Sequence, residues 1–355
     1  MPMIGFKTMV RCFYQAPQGL TTGEMMQTFT KSVLNSLFSV VTLIALIGHS
    51  SWALTAGGPL QRNPYSQPQL IARSATGALN IRNPKTGGYM SRYIPYYTSS
   101  VYNAMKTRGA VSDMRNTLRS VLNYAHISHE GQLDTLVERC PPGDKNCYQQ
   151  TPLGYERARL FLMGYFYLVQ VGNTYAIKEA YCNKLYGSDE FKGNNGPRPN
   201  YIPDNRVINV EHTWPQSRFT GKYPQETQKS DLHHLFPTDS QLNGIRGSYP
   251  FGEVVKDKEG LKCGQSRFGT SDSIRGPTFE PPDVHKGHVA RALLYFALRY
   301  DMNIEPAQEA NLRSWHKQYP VDAEELLRND EIYKVQGNRN PFIDHPELVD
   351  TIADF

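Results

Sequence analysis

Val207-Ile-Asn-Val-Glu-His-Thr-Trp-Pro-Gln-Ser-Arg218 and Ser230-Asp-Leu-His-His-Leu-Phe-Pro-Thr-Asp-Ser-Gln-Leu-Asn243 are the two stretches on which the reading of this chain turns. Val207–Val210 is short and β-branched, which predicts a strand. Thr238-Asp-Ser-Gln241 fits a capping box with Thr238 as N-cap, so a helix should follow and carry Asn243 in its second turn. A carboxylate (Glu211), an imidazole (His212) and a carboxamide (Asn243) thus fall close together on rigid elements. Neighbours on a regular strand point to opposite faces, so Glu211 and His212 share one site only if the strand ends or bends there. Trp214-Pro215 supplies that interruption.

Phosphodiester hydrolysis needs an activated water, a base near neutral pKa and a cation to offset phosphate charge. His212 is the candidate base. Glu211 and Asn243 offer two hard oxygen ligands, which with waters suit Mg²⁺, and Mn²⁺ or Ca²⁺ by the same chemistry. Zinc is the poorer match because it wants three or four nitrogen or sulfur ligands, although His212, His233 and His234 together can supply nitrogens. His233 and His234 alternate with leucines and read either as core histidines or as supports of the site. His285 and His288, three apart at a helix start, read as packing or capping residues, with metal ligation as the alternative.

A chain of 355 residues accommodates one large domain with additions. Lys31, the apolar run Val33–Ile47 and Ser51-Trp-Ala53 read as a signal peptide cleaved after Ala53, with Met25 or Met26 as the start of translation. The rival is an anchor helix, for which the run is short. The expected location is therefore periplasmic or secreted, with no stable membrane partner after cleavage. The formal charge of +5 permits polyanion binding without demonstrating it. Beyond residue 53 four cysteines remain, Cys140, Cys147, Cys182 and Cys263, an even number for an oxidising compartment. One bridge can close the turn-rich loop Cys140–Cys147 and Cys182 with Cys263 can staple distant segments; three pairings are allowed, and sequence does not choose among them.

The expected organisation is an upstream extension with signal peptide at 1–53, an extended leader at 54–110 and a catalytic domain at 111–350. A helix is expected from Met114 to Tyr124. Thr151-Pro152 predicts a second helix over Leu153–Val171, ended by Gly172-Asn173. Residues 187–206 read as a loop. Val289, Ala292, Leu293, Phe296 and Tyr300 mark one helical face, and Asp322-Ala-Glu-Glu325 opens a helix running towards Gly337. The fold class is α+β, mainly helical around a small β element.

Glu211-His212 before Pro215, Asp231-Leu-His-His-Leu-Phe-Pro237, Asn243-Gly-Ile-Arg246, Tyr249-Pro-Phe-Gly-Glu253 and Val335-Gln-Gly-Asn-Arg-Asn-Pro-Phe342 together resemble the bacterial endonuclease I family. Tyr175–Cys182 is similar to a family segment too. The resemblance covers most of residues 150–348 and implies a ββα-metal (His-Me finger) core and a metal-dependent endonuclease. It implies His212 as general base and Glu211 and Asn243 as Mg²⁺ ligands, with DNA, and in some members RNA, cut at little sequence preference to leave 5′-phosphates. Some members hold the cleaved phosphate with an arginine between the two motifs; here Arg218, Lys222 and Lys229 are the candidates. Arg246, one turn beyond Asn243, reads as a phosphate or metal-shell contact or as a structural ion pair. His233, His234 and Arg218 are candidate supporting residues. Two rivals stand beside this reading: a non-catalytic extracellular nucleic-acid-binding protein, and a different zinc metallohydrolase, against which no HExxH occurs in the sequence. Sequence does not set the oligomeric state; a monomer is the working expectation.

Overall fold

The computed structural model describes residues 93–106 and 114–355, and the chain enters it through a tight turn at Pro95–Tyr97 and helix α1 (Thr98–Lys106). Tyr96, Tyr97 and Val101 are buried, so residues 95–106 of the expected leader are helical and seated in the core. The expected signal peptide at 1–53 and the leader residues 54–92 lie outside the described residues. Helix α2 (Met114–Asn123) buries Met114, Leu118, Val121 and Leu122, the stripe its sequence predicts. A small antiparallel sheet follows, with β1 (Ala125–Ile127) between β2 (Thr135–Val137) and β3 (Cys147–Tyr148). The Cys140–Cys147 disulfide closes the loop leading into β3.

The expected long helix at 153–171 is a correction. Helix α3 spans only Tyr155–Phe161, widens into a π-type turn at Leu162–Phe166, and gives way to strand β4 (Leu168–Val171). Gly172-Asn173 is the turn of a hairpin to β5 (Thr174–Lys178), with β6 (Leu185–Tyr186) beyond it. An apolar run serves either period, and the tight turn with matched strands on both sides decides for the hairpin. The cap is displaced too: Gly154, at φ +79°, precedes α3 in a conformation that the expected cap, Thr151, would adopt only under strain.

Strand β7 (Ile208–His212) forms as expected and pairs antiparallel with β8 (Leu235–Asp239), Glu211 opposite Phe236 and His212 opposite Leu235. The excursion between them carries the short helix α4 (Gln225–Lys229). Helix α5 (Ser240–Arg246) leaves β8 directly. Its N-cap is Asp239, whose carboxylate accepts from the Gln241 and Leu242 N–H groups at 3.0 Å. Thr238, the expected cap, is still paired in the strand opposite Asn209. The antiparallel sheet β9 (Lys256–Glu259), β10 (Arg267–Thr270), β11 (Pro277–Glu280) follows, then α6 (Asp283–Tyr300), α7 (Pro306–Gln318), α8 (Ala323–Gln336) and α9 (Pro341–Asp344). Asp322 caps α8 by accepting the Glu325 N–H, and Gly337 ends it, as the sequence predicts. Helix α6 is buried on every side from His285 to Tyr300, not on the one face its apolar residues suggested, because elements pack around it as a central post. No helix among the described residues is long and apolar enough to cross a membrane.

Two features hold the β7–β8–α5 unit in place. Asp231, just before β8, is buried and accepts from the Tyr295 and Tyr300 hydroxyls and the Gln336 amide, each at 2.8 Å. Glu179 is also buried and accepts the Asp239 N–H at 2.8 Å; burial pushes its carboxyl up to about 7. The Cys182–Cys263 disulfide, spanning 81 residues, ties the β5–β6 connection to the β9–β10 connection. A bridge across so long a loop restricts the unfolded chain by roughly 4 kcal/mol. Complete reduction is therefore expected to lower the melting temperature by several degrees. An unchanged melting curve under strong reductant, with free thiols counted, would remove the bridges from the account of stability.

Candidate active site

The strand β7 ends at His212, and Glu211, His212, Asn243 and Arg246 open onto one cavity of about 460 Å³. Glu211 and His212 both stay paired within β7, opposite Phe236 and Leu235, and the Trp214-Pro215 break follows them; at this strand end both residues line the cavity. The His212 Nε2 lies 3.0 Å from the Lys229 carbonyl oxygen, an atom that only accepts. Nε2 is therefore the protonated nitrogen, and Nδ1 keeps its lone pair, with the Gln216 amide 3.3 Å away. Burial holds the His212 pKa down to about 4, so the ring is neutral in ordinary buffers. Tyr155 lies beside it at 5.3 Å between ring centres.

Glu211 is almost wholly buried, and burial raises its carboxyl to about 7 despite the pull of Arg246. Asn243 donates its side-chain amide to Asn209 Oδ1 at 2.7 Å, which leaves the Asn243 Oδ1 without a hydrogen-bond partner among the described residues. A carboxylate desolvated on the cavity wall and a carbonyl oxygen held free beside it are oxygen donors suited to a hard divalent cation. Glu211 and Asn243, the pair named from sequence, line the same cavity. The three-histidine zinc set does not form. His212, His233 and His234 each direct Nε2 to a different carbonyl, of Lys229, Asn338 and Gln228 respectively.

Arg246 is buried and spoken for. It pairs with Glu211 and donates to the carbonyl oxygens of His212 at 2.9 Å and Thr213 at 2.6 Å, so its first task is to brace the end of β7. His234 packs behind the site, 5.4 Å from the His212 ring and 4.3 Å from Phe296. His233 faces away, against Tyr295. Burial pushes both down, to about 4 for His233 and about 3 for His234. Arg218 donates to the Ser248 carbonyl at 2.9 Å and lines a neighbouring cavity instead. Lys222 pairs with Asp301 at 3.2 Å. Lys229 places its ammonium 4.7 Å from the Tyr155 ring centre.

Sequence reading missed Arg159. It lies one turn along α3 from Tyr155, lines the same cavity as Glu211, His212 and Asn243, and forms no ion pair among the described residues. Nothing local marks it, because α3 is distant in sequence from both motifs. Elsewhere, His288, Asp322 and Glu325 bring ligand-type atoms within 4.8 Å of one another. Arg291 already holds Glu325 at 2.5 Å and 2.8 Å, and His288 contacts Asp322 at 3.0 Å, so that cluster is an ion-pair network joining α6 to α8. His285 packs its ring on Phe236 at 4.7 Å.

A family model described as Endonuclease I matches residues 166–347 of this chain. The chain belongs to the endonuclease I family. Its β7–β8 pair and α5 are the ββα unit of that family. Among named relatives, an extracellular ribonuclease of Bacillus subtilis (strain 168) is 38% identical over 165 residues, 41% of this chain and 53% of the relative. A periplasmic deoxyribonuclease of Aeromonas hydrophila is 35% identical over 117 residues, 33% of this chain and 48% of the relative. This endonuclease I family chain thus spans about half the length of the relatives it matches.

Proposed function

We propose that this chain is a periplasmic or secreted metal-dependent endonuclease that hydrolyses phosphodiester bonds of DNA, and also of RNA, leaving 5′-phosphate ends. The observation that carries this reading is the meeting of three groups on one cavity: the unprotonated Nδ1 of His212, the buried carboxylate of Glu211 and the unpartnered Oδ1 of Asn243. Relatives named as extracellular ribonuclease and periplasmic deoxyribonuclease support the substrate class and the location.

Glu211 and Asn243 would hold Mg²⁺, with Mn²⁺ or Ca²⁺ as substitutes. Bound there, the cation supplies Lewis-acid stabilisation of charge building on the phosphate and on the leaving 3′-oxygen. His212 takes the proton from the attacking water at Nδ1, and its Nε2–H is kept on the Lys229 carbonyl throughout, so the ring stays oriented. Arg246 holds Glu211 and the β7 terminus in register. Arg159, without an ion pair at the cavity wall, is the guanidinium free to take a phosphate oxygen, whereas Arg246 is buried and committed to Glu211 and the β7 carbonyls.

The test is nicking of supercoiled plasmid, and cleavage of an RNA of similar length, by purified chain with Mg²⁺ and with EDTA. Cutting that needs the metal supports the reading; folded protein that leaves both substrates intact across several divalent cations defeats it. Arg159→Ala is expected to lower kcat/KM by about 10- to 100-fold, with Arg159→Lys recovering part of the loss. Equal activity in the alanine variant would take the phosphate contact away from Arg159.

A further inference from the structure

A second cavity, about 390 Å³, adjoins the first, and Pro215 and Arg246 wall both. The ridge between them is closed by Arg218, in the wall of the second, donating at 2.9 Å to the carbonyl of Ser248, in the wall of the first. Trp214, Leu293, Met302 and Ile304 give this cavity apolar walls. Into it reaches Gln308, only 8% exposed, whose backbone N–H is taken by Glu305 but whose carboxamide has no hydrogen-bond partner among the described residues. The residue is buried but its amide donor and acceptor both remain open to the cavity, where an occupant can pair with them.

The chemistry of the occupant follows from these walls. Glu305 and Arg218 are exposed and of opposite charge, so the rim has no net preference for a phosphate, whereas Trp214, Leu293, Met302 and Ile304 are buried and apolar. A flat, neutral ring with donors and acceptors on its edge is well served, since a carboxamide matches a base edge with one donor and one acceptor. The volume lies at the small end of ligand pockets, which admits a base and excludes a duplex. We propose that this cavity receives an unstacked base of the nucleotide flanking the scissile phosphate, gripped by its apolar walls and hydrogen-bonded by Gln308. The proposal rests on the nuclease reading of the adjoining site and deepens it: single-stranded or locally opened nucleic acid is the preferred substrate, with a mild base preference at one position beside the cut.

The test has two arms. In EDTA, equilibrium dialysis of the full-length chain with adenosine should show saturable binding, weakened about tenfold or more by Gln308→Leu and by the cavity-filling Ile304→Trp, and not competed by inorganic phosphate. In the cleavage arm, a single-stranded oligonucleotide with Mg²⁺ should give a KM raised about tenfold in both variants at unchanged kcat, with the base preference beside the cut flattened. Wild-type chain that binds no adenosine, or Gln308→Leu with wild-type melting, binding, KM and cut profile, overturns the pocket. If cutting occurs and adenosine binding is absent or indifferent to the variants, the pocket falls and the nuclease reading stands. If nothing is cut but adenosine binds and Ile304→Trp abolishes it, the base pocket stands and the nuclease reading falls.

Discussion

His212→Ala is expected to abolish cleavage, lowering the rate by about 10²- to 10⁴-fold, because no other group lining that cavity offers an unprotonated imidazole nitrogen as base. Glu211 accepts from Arg246, the Asn243 oxygen is no base, and Arg159 is a cation. The fold should survive, since the ring makes one hydrogen bond to a carbonyl and one to the Gln216 amide and lies at the end of its strand. Binding of a short oligonucleotide should be close to that of the unmodified chain, because the phosphate contact and the proposed base pocket are untouched. The measurements are single-turnover cleavage, oligonucleotide binding without metal, and the melting curve. Near-wild-type cutting by the alanine variant would end the assignment of His212 as base; loss of folding would reassign it to structure.

The second large effect is on stability. Asp231→Ala should cost about 4 kcal/mol, for it removes the acceptor shared by two buried tyrosine hydroxyls, the Gln336 amide and the His233 N–H. The same residue sets an acid dependence. Burial pushes the Asp231 carboxyl up, but His233, His234, Gln336 and the His233 N–H together hold it below the ordinary aspartate value of 3.8. A carboxylate with a folded pKa below its unfolded one favours the folded state in full above the unfolded value. That contribution disappears as pH falls below 3.8 and through the folded pKa. Melting temperature followed from pH 6 downward should therefore drop more steeply in the wild type than in Asp231→Asn over the acid range. Parallel curves, or an Asp231→Ala variant that melts within a degree of wild type at pH 7, would show that the hub contributes little.

Asp231-Leu-His-His-Leu235 illustrates why a motif can be legible and its role not. As a string it looks like chemistry, an acid followed by two histidines. In the fold, Asp231 and His233 face Tyr295 and the α8 end, while His234 packs behind His212. Spacing along the chain cannot separate these roles, because the excursion from Thr213 to His234 decides which face each residue meets. Val335–Phe342 is similar: Gln336 and Asn338 serve Asp231, Tyr295 and His233 rather than a substrate. The overlong helix at 153–171 fails for a local reason, since one apolar run suits two periods until its turn is paired.

What the sequence alone determined is the part carried by short-range physics: a β-branched strand broken by Trp214-Pro215, a capped helix presenting Asn243, and the donor types at 211, 212 and 243. Strand alternation and helix capping act over a few residues, so they can be read off a string, to within the one-residue shift from Thr238 to Asp239. Only the tertiary structure decided which imidazole nitrogen is unprotonated, which oxygen of the site is unpartnered, and which arginine is available. Those properties depend on partners brought from elsewhere, the Lys229 carbonyl for His212, Asn209 for Asn243, Glu211 for Arg246 and helix α3 for Arg159. Each is a matter of which lone pair or charge is already used, and that is settled only when distant segments are packed against one another.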